Sequence, residues 1–154
     1  MKTRGIRNNN PLNIRRSESH QARLNGRVST DEDEVNIRRN PANRWRGLRP
    51  VQKDKAFCQF TAMKWGLRAA IKLMRTYRQS YNLNTPRQII TRWAPDSENN
   101  TAAYVQQACA MAHLEADKPL RCLSETFALL QAMSWIESCY EPTIDELTEA
   151  MTLI

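Results

Sequence analysis

LSETFALLQAMSWIE, residues 123–137, decides the fold class. At helical spacing Leu123, Phe127, Leu130 and Met133 fall on one stripe, and Glu137 follows on the same stripe. The stretch is apolar nearly all round, which predicts a central, buried helix rather than a surface-lying one. A carboxyl at the apolar end of such a helix is desolvated. Its neutral form is then favoured and its pKa rises toward the range in which it can donate a proton. The plainer reading makes Glu137 the first solvated residue after a core helix, or the partner of an arginine.

Outward from this helix the chain stays helical. Glu141-Pro142 interrupts, and Thr143 with Glu146 three residues later forms a capping box that starts a last helix, Ile144 to Leu153. On the other side Asp117 to Pro119 form a break, and Asn99, Asn100 or Thr101 caps a helix running to about His113. Thr85 followed by Pro86 opens a short helix through Trp93, which Ala94-Pro95 ends. From Ala62 to about Tyr81, Gly66, Ala70, Leu73, Tyr77 and Tyr81 share one face, while Lys64, Arg68, Lys72, Arg75 and Arg78 or Gln79 line another. Five helices and at most short strands result, so the expected class is mainly α. The strand candidates are Leu12 to Arg15 and FCQF (57–60). RGIRNNNPLNIRR (4–16) reads as an irregular, turn-rich start. Residues 17–43 form a polar insertion with an acidic DEDE cluster, expected as an exposed loop. The tetrapeptide NIRR occurs at 13–16 and again at 36–39, which is too little for a repeat architecture.

The 154 residues fit a single domain with a sizeable core. No apolar run reaches the roughly 18 residues of a membrane span, and no apolar stretch follows the charged start, so neither a spanning helix nor a secretory signal is expected. Cys58, Cys109, Cys122 and Cys139 are widely spaced and read as buried, reduced thiols. His20 and His113 are isolated, and neither a metal site nor a cofactor is expected. The net charge of +7 is unevenly distributed. Residues 1–49 hold 12 Lys+Arg against 5 Asp+Glu, residues 50–96 hold 9 against 2, and residues 97–154 hold 2 against 9. Such polarity favours an anionic partner for the basic part, whether nucleic acid, an acidic membrane surface or a wall polymer.

Several motifs together give the chain a family resemblance. RGIRNNNPLNIR (4–15), WRGL (45–48), FCQF (57–60), WGLRAAIKLMRTY (65–77), NTPRQIITRWAPDSENNTAAYV (84–105) and IESCYEP (136–142) resemble bacteriophage and prophage proteins with a lysozyme-like, peptidoglycan-cleaving domain. The order is also similar to flagellar and autolysin-type glucosaminidases read from a different starting point. There a helix ends in a Glu-Ser pair, followed by an Asn-rich segment and later a Tyr. Here the Asn segment comes first and Glu137-Ser138 comes last, as in a circular permutation, which surface-lying, neighbouring termini permit. Two positions depart from that pattern, Leu12 and Cys139 standing where relatives of this kind carry Gly. Either replacement bears on a tight turn, and hence on activity.

The resemblance implies one lysozyme-like domain over residues 1–154 that cleaves peptidoglycan glycan strands as a lysozyme, lytic transglycosylase or glucosaminidase. Glu137 would be the acid and then the base. Asp96 and Glu98 are the candidates for a second carboxylate, and their other reading is capping of the following helix. Asn9, Asn10 and Asn13 would offer amides to acetamido groups, although asparagines also simply make turns. Trp45 would stack on a sugar face or anchor in the core, and Tyr104 would hydrogen-bond near the cleaved bond or belong to the core. Trp65 and Trp93 are assigned to the core. Lys64, Arg68, Lys72 and Arg75 form either the wet side of a helix or a surface for an anionic envelope. Without a signal peptide, such a protein is made in the cytoplasm and reaches the wall by virion- or holin-type delivery. The competing functions are nucleic-acid binding, for which no helix-turn-helix spacing, zinc ligands or aromatic RNA signature is found, and an inactive virion component with the same fold.

Overall fold

The computed structural model describes residues 2–16, 44–95 and 99–154. The polar insertion 17–43, with DEDE, His20 and the second NIRR, lies outside the described residues, as do Asp96 and Glu98. Among the described residues the architecture is mainly α, with no sheet. The helices are α1 (Arg4–Arg7), α2 (Met63–Tyr81), α3 (Pro86–Trp93), α4 (Thr101–Ala112), α5 (Leu123–Ser138) and α6 (Ile144–Thr152).

Local chemistry sets most of these boundaries. Thr85 and Thr143 each close a full capping box, with Gln88 and Glu146 respectively, so α3 and α6 begin where side chains satisfy the first N–H groups. Asn100 caps α4 through the N–H of Ala103. Three helices end on residues in the left-handed conformation: Asn82 after α2, His113 after α4 and Cys139 after α5. The expected strands reduce to isolated antiparallel bridges, Arg15 with Phe57 and Leu48 with Phe60. The start of the chain, expected to be irregular throughout, contains α1, a single turn capped by Thr3.

The core gathers on α5. Phe127, Leu129, Leu130 and Met133 are buried between α4, which packs along it, and the rest of the cluster. The helix is not buried all round, however. Leu123, in the first turn, is 47 % exposed and Trp135 45 % exposed, so the first turn and the side carrying Trp135 are left uncovered by the described residues. Trp65 and Trp93 pack partly buried against the core. α2 and α6 form the second main contact. There Arg68, expected on the wet side of α2, is buried, and its Nε donates to the Leu153 carbonyl at 2.9 Å. A cation on the open carbonyls of a helix end is a favourable arrangement, and it removes Arg68 from the solvent stripe.

The opening residues approach two helices closely. A Cβ on Gly66 of α2 would sit 2.0 Å from the Asn9 carbonyl oxygen, and one on Gly5 would sit 1.8 Å from Ser138 Oγ at the end of α5. Only glycine permits both approaches. Extended backbone then ties the segment down: Cys58 N donates to Ile14 O, Phe60 N to Asn8 O and Arg16 N to Ala56 O.

Candidate acid site at the end of α5

The asparagine segment positions its side chains in two directions. Asn9 and Asn13 take left-handed backbone, at φ 51° each, which asparagine tolerates better than most residues. Leu12, between them, is fully buried and outside that region, so glycine is not demanded there by the backbone. Asn10 is fully buried and its amide is wholly committed to backbone. It donates to Ile14 O at 3.0 Å and Cys58 O at 2.9 Å and accepts from Ile14 N at 2.9 Å. Asn10 therefore organises the turn instead of lining a groove. Asn9 likewise donates to the Phe60 carbonyl at 3.0 Å.

Asn13 points the other way, into the end of α5. Its Nδ2 donates to Glu137 Oε2 at 2.9 Å and reaches the Glu137 carbonyl at 3.3 Å, joining residues 124 apart in the chain. Thr3 adds a second stitch, its hydroxyl donating to the Ser138 carbonyl at 2.6 Å. The acid at the end of the apolar helix thus meets the opening residues of the chain. Glu137 itself is partly buried. Burial pushes its carboxyl above the usual range, opposed but not cancelled by Asn13, by Tyr104 and by the positive charge of Arg15.

Tyr104 arrives from α4, buried to 7 % exposure. Burial and then the neighbouring Glu137 charge push its phenol well above the ordinary value, so it stays protonated. Its hydroxyl closes no hydrogen bond of good geometry, and neither does Asn13 Oδ1, although both are buried. Both atoms are enclosed beside the carboxyl. The groups that oppose burial at Glu137 are Asn13, Tyr104 and Arg15, and Trp45 is not among them. Trp45 lies partly buried against the core with its indole N–H enclosed and unpartnered. Trp93 serves the segment from outside, its indole N–H donating to Leu12 O at 3.0 Å.

A second carboxylate, Asp54, escaped the sequence reading. It accepts from Arg4 twice at 2.6 Å, from Asn8 at 2.9 Å and from the N–H groups of Ala56 and Phe57 at 2.9 Å each. Burial alone would raise its pKa, but the donors from Arg4, Asn8, Phe57 and Ala56 together outweigh it and hold Asp54 well below the usual carboxylate range. Its legible signal was isolation, as the one acid in Pro50–Pro95, set between Lys53 and Lys55. Arg4 and Arg15 also stack over Phe57, at 4.4 and 5.1 Å from its centroid.

The thiols divide differently from the expectation. Cys58 and Cys109 are buried, the former pushed up to about 12 by burial, whereas Cys122 and Cys139 are exposed at the two ends of α5. Among the described residues no group of three His, Cys, Asp or Glu side chains gathers as a metal site would require. No helix among them is long and apolar enough to cross a membrane.

Fold and site together define a small, mainly helical domain whose central helix delivers a partly buried acid to the asparagine segment at the chain's start. No profile of a known protein family matches the chain. Over 146 residues it is 31 % identical to Protein P5 of Pseudoalteromonas phage PM2, an alignment covering 94 % of this chain and 77 % of that protein. The chain belongs to the family of this bacteriophage protein.

Proposed function

We propose that the protein cleaves the glycan strand of peptidoglycan, with Glu137 as general acid and then general base on a lysozyme-like domain. The observation that carries this reading is the state of Glu137. It is desolvated on an apolar helix, its pKa raised by that burial, and held by Asn13 beside the buried Tyr104 hydroxyl. Similarity to a phage protein over nearly the whole chain fits an agent that meets a bacterial wall.

In the first step the Glu137 proton passes to the oxygen joining two sugars, the bond from that oxygen to the anomeric carbon breaks, and the leaving sugar departs as an alcohol. Glu137, now a carboxylate, accepts a proton from the nucleophile that closes on the anomeric carbon. That nucleophile is water, giving a reducing end, or the sugar's own 6-hydroxyl, giving an anhydro end. The acid is restored in either case. A single acid suffices for N-acetylated sugars, whose acetamido group or hydroxyl can do the work of a second carboxylate. Asn13 orients the carboxyl, and Tyr104 offers a neutral hydroxyl to the developing charge. Arg15, stacked on Phe57, keeps a cation nearby that eases ionisation of Glu137 in the first step. The protein reaches its substrate by delivery in a virion or through a holin-type lesion.

The test sets wild type beside Glu137→Gln on purified peptidoglycan, with released products identified by mass. Loss of about 10²- to 10⁴-fold in release is expected, the usual contribution of a general acid–base group. The reducing and anhydro products differ by one water. Equal release by the two proteins removes Glu137 from the chemistry.

A further inference from the structure

Two grooves flank Leu120, and they differ in how their charges are matched. One, of about 460 Å³, is lined by His113, Glu115, Lys118, Arg121 and Glu125 among others. Its cations are neutralised within it, Lys118 by Glu115 at 2.6 Å and Arg121 by Glu125 at 3.1 Å. The other, of about 410 Å³, is lined by Arg75, Arg78, Gln79, Asn84 and Leu120. It holds two guanidiniums and two amides and no carboxylate. Both arginines are exposed, and neither forms an ion pair with the described residues, unlike Arg4, Arg87 and Arg121.

That concentration of charge has a cost. Arg75 and Arg78 stand three residues apart on α2, where like charges repel across the helix surface. Arg78 is favoured by the negative end of α2, whose last turn it occupies, but Arg75 lies a turn further back and has no such reason. An oxyanion between them would relieve the repulsion. Guanidinium forks match the paired oxygens of a phosphate, and the Gln79 and Asn84 side-chain N–H groups can supply the remaining donors. Two guanidiniums and two amides in one groove of about 410 Å³ suit a single phosphate better than a nucleic-acid backbone met at many phosphates. The apolar floor at Leu120 suits the carbon side of an ester.

We infer that the groove formed by Arg75, Arg78, Gln79 and Asn84 over Leu120 binds a phosphate ester. The site adjoins the segment that leads into α5, while Glu137 lies at the far end of that helix, about 24 Å long at 1.5 Å per residue. Anchoring there would leave the acid free to act, and the inference stands whether or not Glu137 cleaves glycan.

The experiment titrates full-length protein with inorganic phosphate at constant ionic strength, following the Arg Nε–H resonances by NMR. Saturable shifts at Arg75 and Arg78, not reproduced by chloride, are expected. The variant R75A/R78A should lose at least about tenfold in phosphate affinity, because two charge-assisted contacts go. K2A/K53A, which removes the same charge elsewhere, should bind as wild type does. R75K/R78K keeps charge without the fork and should fall between. A second arm uses vesicles. Retention on phosphatidylglycerol but not phosphatidylcholine vesicles, lost by about thirtyfold in R75A/R78A at about one tenfold step or less per arginine, identifies a lipid headgroup as the source. Phosphate binding without vesicle retention identifies a soluble phosphate compound as the source. Shifts that do not saturate, equal losses in K2A/K53A, or tight binding of a single-stranded oligonucleotide with none of phosphate would overturn the inference.

Discussion

Asp54 and Glu137 are two carboxylates only partly open to solvent, with opposite fates. Both are desolvated, and burial pushes both toward the neutral form. Asp54 accepts five hydrogen bonds, two of them from a guanidinium, and stays ionised far into acid. Glu137 receives one well-made side-chain bond, from Asn13, and remains biased toward protonation. Donors and depth act together: Asp54 is the less buried and the better supplied with donors, Glu137 the more buried and the less supplied, so their pKa values move in opposite directions. The same donor-rich packing fixes Asn8, Asn10 and Gln59 in the loop region, whereas polar atoms of Asn13 and Tyr104 beside Glu137 are left over.

The sharpest way to break this comparison is stability against pH. Asp54→Asn removes an ion that several donors face and places an amide against Arg4 and Asn8. About 2 kcal/mol of stability should be lost at pH 7, discounting for the half-exposed Arg4. The folded pKa of Asp54 lies below its unfolded value, so its contribution is present above roughly pH 4 and is lost as pH falls through the folded value. The gap between wild type and Asp54→Asn should therefore narrow below about pH 4. Glu137 works in reverse, because its folded pKa is raised. Its stabilising influence is complete below the unfolded value and lost as pH rises through the folded one, so Glu137→Gln should stabilise the protein at pH 7 and not at pH 3. Urea denaturation at the two pH values measures both. Parallel behaviour of the two variants would erase the distinction between the carboxylates.

Tyr104→Phe is a smaller test of the same contrast. A buried hydroxyl with no good partner is an expense to the fold, so its removal should leave stability unchanged or raise it by up to about 1 kcal/mol. Release from peptidoglycan should nevertheless fall by about tenfold if the hydroxyl serves the reacting oxygen. Loss of stability together with unchanged release would return Tyr104 to the core.

Most helices were legible because their signals are local. Thr85-Pro86 with Gln88, and Thr143 with Glu146, state where α3 and α6 begin, and the apolar stripe states that α5 is central. The single turn α1 was not legible, since RGIR carries no period and only Thr3 marks it. The site was half legible. Glu137 stands out on its helix, but what distinguishes Asn13 from Asn10 is which distant backbone each meets, Glu137 for one and Cys58 for the other. Arg68 misled for a related reason: its place on the basic stripe is clear, while the α6 carbonyl that buries it lies 85 residues away. Asp54 was missed because its role is assembled from Arg4, Asn8 and backbone N–H groups that only the fold brings together.

Cys139 supplies the finest comparison, with Leu12, the other position where the resembling proteins carry Gly. Leu12 is a core side chain on ordinary backbone, and glycine there would only remove packing. Cys139 closes α5 at φ 52° and ψ 36°, the left-handed cap that glycine occupies without steric penalty. Cys139→Gly relieves that penalty but gives the unfolded chain more freedom, so the net gain should be only about 0.5 kcal/mol in urea. Leu12→Gly should be destabilising by several times as much, through the lost core side chain. Because Cys139 is exposed and its N–H still reaches the Trp135 carbonyl, the substitution leaves the α5 terminus and the Glu137 carboxyl in place. Activity should then be unchanged. A marked gain in release by Cys139→Gly would instead mean that the cap's backbone, and not only Glu137, limits the reaction.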